Sequence, residues 1–383
     1  MKIGFDAKRA AQNRTGLGNY SRFIINILSE CYPLNNYILY IPNPKKCSLL
    51  KELNHERNII FRFPSAFWRK LASLWRVKQI TSCLVTDNIQ LYHGLSNELP
   101  LNINKAKGIK SIVTIHDLIF LRYPDYYHFI DRKIYAYKFR KACENADQII
   151  AISECTKRDI ISFFHIPESK IAVVYQGCDV KFSKSIPDDF KKSIKDKYQL
   201  PPEYILTVGS IEERKNLLLL AQALKQTTTE IPVIAIGKRT AYSEQVESFL
   251  KDNGLSNRMI MLHNVPFSDL PTFYQMASIF VYPSRFEGFG IPILEALNSQ
   301  VPVIAATGSC LEEAGGPDSI YINPDDSKAL AQAIDLVLTN SDLRKRMIEK
   351  GYIYAKQFED SKLAKDLMDV YQEIGSSKKS IVK

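Results

Sequence analysis

The sequence predicts an α/β protein made of two doubly wound parallel sheets. Short β-rich runs alternate with amphipathic stretches along the whole chain, the pattern of parallel strands flanked by helices. The runs fall into two series separated by the polar, proline-containing stretch "KFSKSIPDDFKKSIKDKYQLPPEY". With 383 residues, 45% of them hydrophobic, the chain is long enough for two ordinary cores.

Taken in order, the first series is "KIGFDA", "YILYIP", "NIIFRF", "IQLYHG", "SIVTIHD", "QIIAIS" and "IAVVYQG". Each run is short, rich in Ile, Val, Tyr and Phe, and bounded by Gly, Pro, Asn or Ser, as strands are. The second series is "YILTVGS", "PVIAIG", "MIMLHN", "IFVYPS" and "VPVIAA". The linker is placed near residues 180 to 190. In doubly wound sheets ligands bind beyond the carboxyl ends of the strands, so the chemistry belongs in the loops that follow them.

Several classes are excluded at the outset. Apolar runs such as "SIVTI" and "IPVIAIG" are far shorter than the ~18 residues of a spanning helix, and "MKIGFDAKRA" lacks the apolar core of a signal peptide. A cytoplasmic location is expected. The seven cysteines, at 31, 47, 83, 143, 155, 178 and 310, form no C-x-x-C pair, so neither a disulfide framework nor a zinc site is indicated. Charge is uneven: residues 1–185 carry 28 Lys and Arg against 15 Asp and Glu, and the remainder carries 23 against 26. A basic first half attracts a phosphorylated ligand, an anionic membrane or nucleic acid, and charge alone does not choose among them. No recognised nucleic-acid motif accompanies it.

Four loops stand out. In "TGLGNYSRF", Gly16 and Gly18 allow close backbone approach to a ligand as a helix begins at about Asn19. A dinucleotide fingerprint would want a third glycine where Ser21 stands and an acid after the second strand; a tight turn without ligand is the plain alternative. "SIVTI" runs into His116 and Asp117, either a site histidine or a satisfied structural one. "YILTVGS" leads to Arg214, Lys215 and Asn216 just before or at the start of a helix, where cations oppose the helix dipole. They form either a phosphate receptor or a solvated cluster with Glu212 and Glu213. Last, "PSRFEGFGIPILEAL" places Glu287 in a loop, Pro292 in the first turn of a helix and Glu295 on that turn. Two carboxylates separated by a glycine turn can each accept from a pair of vicinal hydroxyls, holding a sugar ring and a ribose with phosphates between them.

These segments, with "YHGLSNELP", "ISECTKRDI", "VVYQGCD" and the closing "LAKDLMDVYQEI", resemble in their order the family 4 retaining glycosyltransferases, especially the bacterial mannosyltransferase-like branch that builds surface polysaccharides. The resemblance implies a GT-B fold, two Rossmann-like domains facing each other across a cleft. It implies an acceptor-binding domain over 1–185, a nucleotide-sugar-binding domain over 186–360, a helix over 361–375 crossing back to the first domain and a polar, basic tail over 376–383.

It also implies roles, residue by residue. Glu287 contacts the donor sugar and Glu295 the ribose. The backbone of Gly288, Phe289, Gly290 and Ile291 touches sugar and diphosphate. Lys215 neutralises the diphosphate, His116 lies near the sugar's C6 hydroxyl, and Gly16 approaches the donor phosphates. Glu287, His116 and Lys215 form the expected catalytic set. Many members carry an arginine where this chain has Ser210, and Arg214 is the candidate to replace it. No D-x-D occurs, so neither a metal nor another cofactor is expected.

The implied reaction is retaining transfer of a hexose from a nucleotide sugar, GDP-mannose foremost, to a growing glycan or lipid-linked glycan. The alternative is an inactive nucleotide-sugar-binding scaffold of a polysaccharide assembly complex. "RFPSAFWRKLASLWRVKQI" mixes aromatics with cations and reads either as an interfacial helix at the inner face of an anionic membrane or as an ordinary amphipathic helix packed on the sheet. Nucleic acid is not an expected partner.

Overall fold

A computed structural model describes residues 1–53 and 57–376; of the expected tail, all but Ser376 lies outside the described residues. The chain separates into two compact units, Met1–Gln176 with Asp360 onward, and Gly177–Glu359.

The first unit is a seven-stranded sheet: β1 Lys2–Asp6, β2 Asn36–Tyr40, β3 Ile59–Arg62, β4 Leu91–Gly94, β5 Lys110–Ile115, β6 Gln148–Ala151 and β7 Ile171–Val173. The order is β3-β2-β1-β4-β5-β6-β7, and every pairing is parallel. Its strands read as continuous apolar runs because both faces are covered by helices. One face is closed partly by the helix Asp360–Ser376, which buries Leu363, Leu367, Met368, Tyr371 and Ile374 in the same cluster as Ile3, Phe5 and Ile24. Burying a Leu or Met side chain fully is worth about 1.5–3 kcal/mol, so this helix is part of the unit's core.

The second unit has six parallel strands: β8 Ile205–Val208, β9 Val233–Ile236, β10 Met259–Leu262, β11 Ile279–Tyr282, β12 Val303–Ala306 and β13 Ile320–Ile322. Their order, β10-β9-β8-β11-β12-β13, is again the Rossmann order. The sequence pattern reveals five of the six. β13 escapes it because "IYI" is cut short by Asn323 and Pro324, whereas β7, also three residues at a sheet edge, is lengthened in the sequence by Val174 and Tyr175.

In each sheet the order in which strands are added reverses once, between β1 and β4 in the first and between β8 and β11 in the second. Neighbouring loops diverge there and leave a crevice at the carboxyl ends.

One local expectation is corrected. The helix thought to start at about Asn19 spans Gly16–Cys31, so Gly16 and Gly18 lie in its first turn. A Cβ on Gly18 would sit 1.8 Å from the Asn13 carbonyl oxygen, whereas one on Gly16 would meet nothing within 4 Å. Gly18 is required by packing; Gly16 is an exposed helix start.

Candidate active site

The second switch point is built from two loops. After β8 the chain passes through Gly209, at φ +155°, and Ser210 into the 3-10 turn Glu213–Lys215. Asn216, left-handed at φ 60°, redirects it into the helix Leu217–Leu224, and its side-chain amide donates to the carbonyls of Pro283 and Pro324. Asn tolerates that conformation better than most residues, and the two bonds lock this loop to the loops after β11 and after β13.

After β11 come Pro283, Ser284 and the glycine turn. Gly290, at φ +121°, precedes the helix Ile291–Asn298, with Pro292 in its first turn. Phe289 is buried against Phe358, centroids 5.5 Å apart, so only its backbone is offered to a ligand. The Cys310 thiol lies 3.0 Å from the Glu287 carbonyl and 2.9 Å from that of Phe289, holding the turn from behind.

The loops meet at Glu287. Its Oε1 accepts from Lys215 Nζ at 2.6 Å, Ser284 Oγ at 2.5 Å and Tyr282 Oη at 3.2 Å, and pairs with Arg214 Nη1 at 2.9 Å. Burial alone would raise this carboxyl, but Lys215 and Arg214 outweigh it and hold it down at about 2. Lys215 also donates to Tyr282 Oη at 2.6 Å. An ammonium has three donors, so one remains for a ligand. Lys215 and Ser210 line a small pocket with Gly209 and Tyr282. Arg214 is mostly buried; besides Glu287 it bonds Glu212 and the Phe286 carbonyl. The solvated cluster of Arg214, Lys215, Glu212 and Glu213 is therefore not what forms. Arg214 keeps Glu212, while Lys215 turns inward to Glu287.

Glu295 differs from its expected position. It lies in the second turn of its helix, 8% exposed, and its Oε2 accepts from Tyr274 Oη at 2.7 Å. Burial raises its carboxyl to about 7, the Tyr274 bond opposes the rise, and Asp179 adds to it. The helix places it deeper than Glu287 because it follows Pro292 by three residues, on the face that packs inward.

His116 and Gly16 belong to the first unit. His116 is buried at the end of β5; Nε2 lies 2.9 Å from the Leu95 carbonyl and Nδ1 3.2 Å from Gln176 Nε2. A carbonyl only accepts, so Nε2 carries the hydrogen and Nδ1 accepts from Gln176. Burial lowers this imidazole to about 4 against the opposing pull of the Leu95 bond, leaving it neutral. The Asn97 side chain accepts from the His116 backbone N–H at 2.7 Å. Tyr282, Ser284, Cys310, Tyr274 and Gln176 were not singled out from sequence. Tyr282 and Ser284 had a visible signal, since they flank the carboxyl end of β11.

Among the described residues no group of three His, Cys, Asp or Glu could hold a metal ion, and no helix is long and apolar enough to cross a membrane.

Two Rossmann-like parallel sheets are the architecture of the GT-B glycosyltransferases. The glycosyl transferases group 1 family matches residues 188–354 and glycosyltransferase family 4 matches residues 36–182. Each half of the chain is thus similar to a glycosyltransferase family, and relatives named as mannosyltransferases match across them. The chain is 29% identical over 373 residues to O-antigen chain mannosyltransferase B of Escherichia coli, covering 94% of this chain and 96% of that one. It is 28% identical over 250 residues to O-antigen chain mannosyltransferase RfbU of Salmonella typhimurium, covering 65% and 66%. The fold is shared with a glycosyltransferase from Rickettsia africae, TM-score 0.77 at 20% identity over 98% of this chain and 99% of that one. It is shared too with Anabaena Alr3699/HepE in complex with UDP and glucose, TM-score 0.75 at 17% identity over 97% and 100%.

Proposed function

We propose that this glycosyltransferase moves a hexose, mannose before others, from a nucleotide sugar to a growing, lipid-linked surface glycan, with retention of configuration and without a metal. The observation that carries the reading is the convergence of Lys215 and Arg214 on one oxygen of Glu287 at the switch point of the second sheet. That arrangement keeps Glu287 ionised to accept from sugar hydroxyls, and keeps two cations where a diphosphate would arrive.

Breaking the bond from C1 to the diphosphate leaves an oxocarbenium-like sugar and an anionic leaving group, so fixed cations are worth most as that charge develops. Lys215 is the principal stabiliser, with Arg214 behind it and the Gly288–Ile291 backbone bordering the sugar and phosphates. Glu295 takes the ribose and Ser210 completes the donor contacts of the second unit, while His116 and Gly16 in the first unit are assigned to the donor on the family resemblance. In a retaining transfer the acceptor attacks on the face the phosphate leaves, and the phosphate takes its proton.

Mannose is favoured because several relatives, among them the one that covers 94% of this chain, are named mannosyltransferases. A lipid-linked acceptor is supported by a further relative, from Campylobacter jejuni, named for a diphospho-undecaprenol substrate and 25% identical over 227 residues.

The test is nucleotide release from GDP-, UDP-, ADP- and dTDP-linked sugars with and without acceptor glycan, with the product anomer assigned by NMR. Turnover with GDP-mannose, an α product and indifference to excess EDTA are expected. Binding without turnover would make the chain a scaffold, and loss of activity in EDTA restored by magnesium or manganese would overturn the cation-only account.

A further inference from the structure

We propose that Gln176 is the residue of the first unit that meets a hexose hydroxyl, and that His116 is the positioning residue that aims its amide. The inference rests on the reading of the chain as a glycosyltransferase, and it changes which side chain touches sugar at this place.

Each polar atom of His116 already has a partner inside the protein. Its backbone N–H donates to Asn97 Oδ1 at 2.7 Å and its carbonyl accepts from Thr156 Oγ1 at 3.3 Å. Nε2 donates to the Leu95 carbonyl and Nδ1 accepts from Gln176 Nε2. The ring also packs edge-on against Tyr20, centroids 4.6 Å apart at 89°, and the Tyr20 hydroxyl lies 3.2 Å from Thr114 Oγ1. A neutral imidazole has one N–H and one acceptor nitrogen. A sugar hydroxyl could therefore reach this ring only by displacing Leu95 or Gln176, which leaves a buried polar group unpaired.

Gln176 is differently placed. The tautomer of His116 decides which end of the amide faces the ring: Nδ1 accepts, so the NH2 group turns to it and Oε1 is left over. One of the two amide hydrogens goes to Nδ1. Oε1 and the second N–H have no partner among the described residues, although Gln176 is only 5% exposed. Buried polar groups are ordinarily bonded. Oε1 is not among the unpartnered side-chain atoms sealed from solvent, so a hydroxyl can reach it.

Position and charge select the ligand. Gln176 follows β7 by three residues and His116 follows β5 by one, so both stand at the carboxyl ends of the sheet, where such folds bind ligands. Neither side chain is bonded to a cation or a carboxylate, which suits an uncharged hydroxyl and not a phosphate. An unspent acceptor beside an unspent donor is the complement of a hydroxyl, which both donates and accepts.

The experiment follows the Gln176 side-chain amide and the His116 ring nitrogens by 15N NMR in the full chain, the amide signal being the one that Gln176→Leu removes. The probes are GDP-mannose, UDP-glucose, GDP, UDP and a mannose disaccharide. A hexose-bearing probe should move the Gln176 signal, the bare nucleotides should not, and His116 Nδ1 should keep the shift of an acceptor nitrogen. Movement with a sugar nucleotide assigns the hydroxyl to the donor; movement with the disaccharide assigns it to the acceptor. In kinetics, removing that one hydroxyl from the substrate should cost the parent about tenfold or more in kcat/KM. Gln176→Leu should lose as much with the complete sugar and nothing further with the deoxy form, whereas a merely structural role would lower every substrate alike. A Gln176 signal that no hexose moves, a His116 Nδ1 that changes partner on binding, or equal losses on every deoxy form overturns the proposal. Hexose binding through Gln176 without turnover supports it and removes only the transferase reading.

Discussion

The two sheets of this chain share a strand order around their switch points, yet the charges set there have opposite balance. In the basic half, Arg76 lies between Asp6 and Glu98, at 2.5 Å from each, one cation enclosed by two carboxylates. In the acidic half, Glu287 alone receives Lys215 and Arg214, one carboxylate between two cations. The net charge of a domain therefore says little about the sign of its site. The surplus cations of the first half lie largely on its surface, whereas the second half concentrates two of its own where an anion can use them. Arg76 reaches its partners from a π-helical turn, Trp75–Gln79, and is buried structure; Lys215 keeps one donor unspent.

If that contrast is right, the largest effect on stability belongs to the first unit. Arg76→Ala leaves two mostly buried carboxylates without their main partner and should cost about 3–5 kcal/mol of folding free energy. The folded fraction should bind nucleoside diphosphate as the parent does. Chemical denaturation and calorimetry give the two readings; a stable Arg76→Ala protein that loses nucleotide would move the anion site to the wrong unit.

Glu287→Ala tests the other side. Turnover should fall by about a hundredfold or more, about 2.7 kcal/mol, and nucleoside diphosphate affinity should not weaken, because Lys215 and Arg214 are released from the carboxylate that engaged them. Parent-like rates would remove Glu287 from the reaction.

Lys215→Ala sharpens the comparison further. Affinity for nucleoside diphosphate should drop about tenfold or more, as for loss of a charged hydrogen bond, while affinity for the bare nucleoside stays. Were Lys215 only the partner of Glu287, both ligands would bind as before, and Arg214 would be next to examine.

How much of this was legible beforehand follows a physical division. The strands were visible because parallel strands buried on both faces are continuous apolar runs; β13 was not, because its apolar run stops after three residues at Asn323 and Pro324, while that of the equally short β7 continues into Val174 and Tyr175. The importance of Glu287 and Lys215 was visible because a cation before a helix and a glutamate in a glycine turn both break local expectation. Their pairing was not, since residues 72 positions apart meet only when two loops fold over one sheet end. Tyr274 and Gln176 were invisible for a related reason: each acts on a group supplied by a distant element, Glu295 and His116. The helix Phe129–Asn145 misleads a periodicity reading, because apolar side chains occupy both its inner and outer faces.

The smallest expected effect concerns Glu295, and it is a matter of pH. Burial holds this carboxyl at about 7, above the ordinary value of about 4.3 for a glutamate. The folded protein therefore binds more protons than the unfolded chain between about pH 4.5 and pH 7, and this group's contribution to stability falls as pH rises through that window. Binding runs the other way if the carboxylate accepts from the ribose hydroxyls, because only the ionised form accepts from both. With a midpoint at about 7, roughly a tenth of the groups are ionised at pH 6 and nine-tenths at pH 8, so nucleoside affinity should rise about ninefold between them. A nucleoside without phosphates is the right ligand, since a terminal phosphate titrates in the same range. Glu295→Gln should flatten the profile. Tyr274→Phe should move its midpoint upward, since the lost hydrogen bond favours the charged form. A flat profile in the parent would mean that Glu295 is a buried helix residue without a ligand, and the ribose would have to be held elsewhere in the second unit.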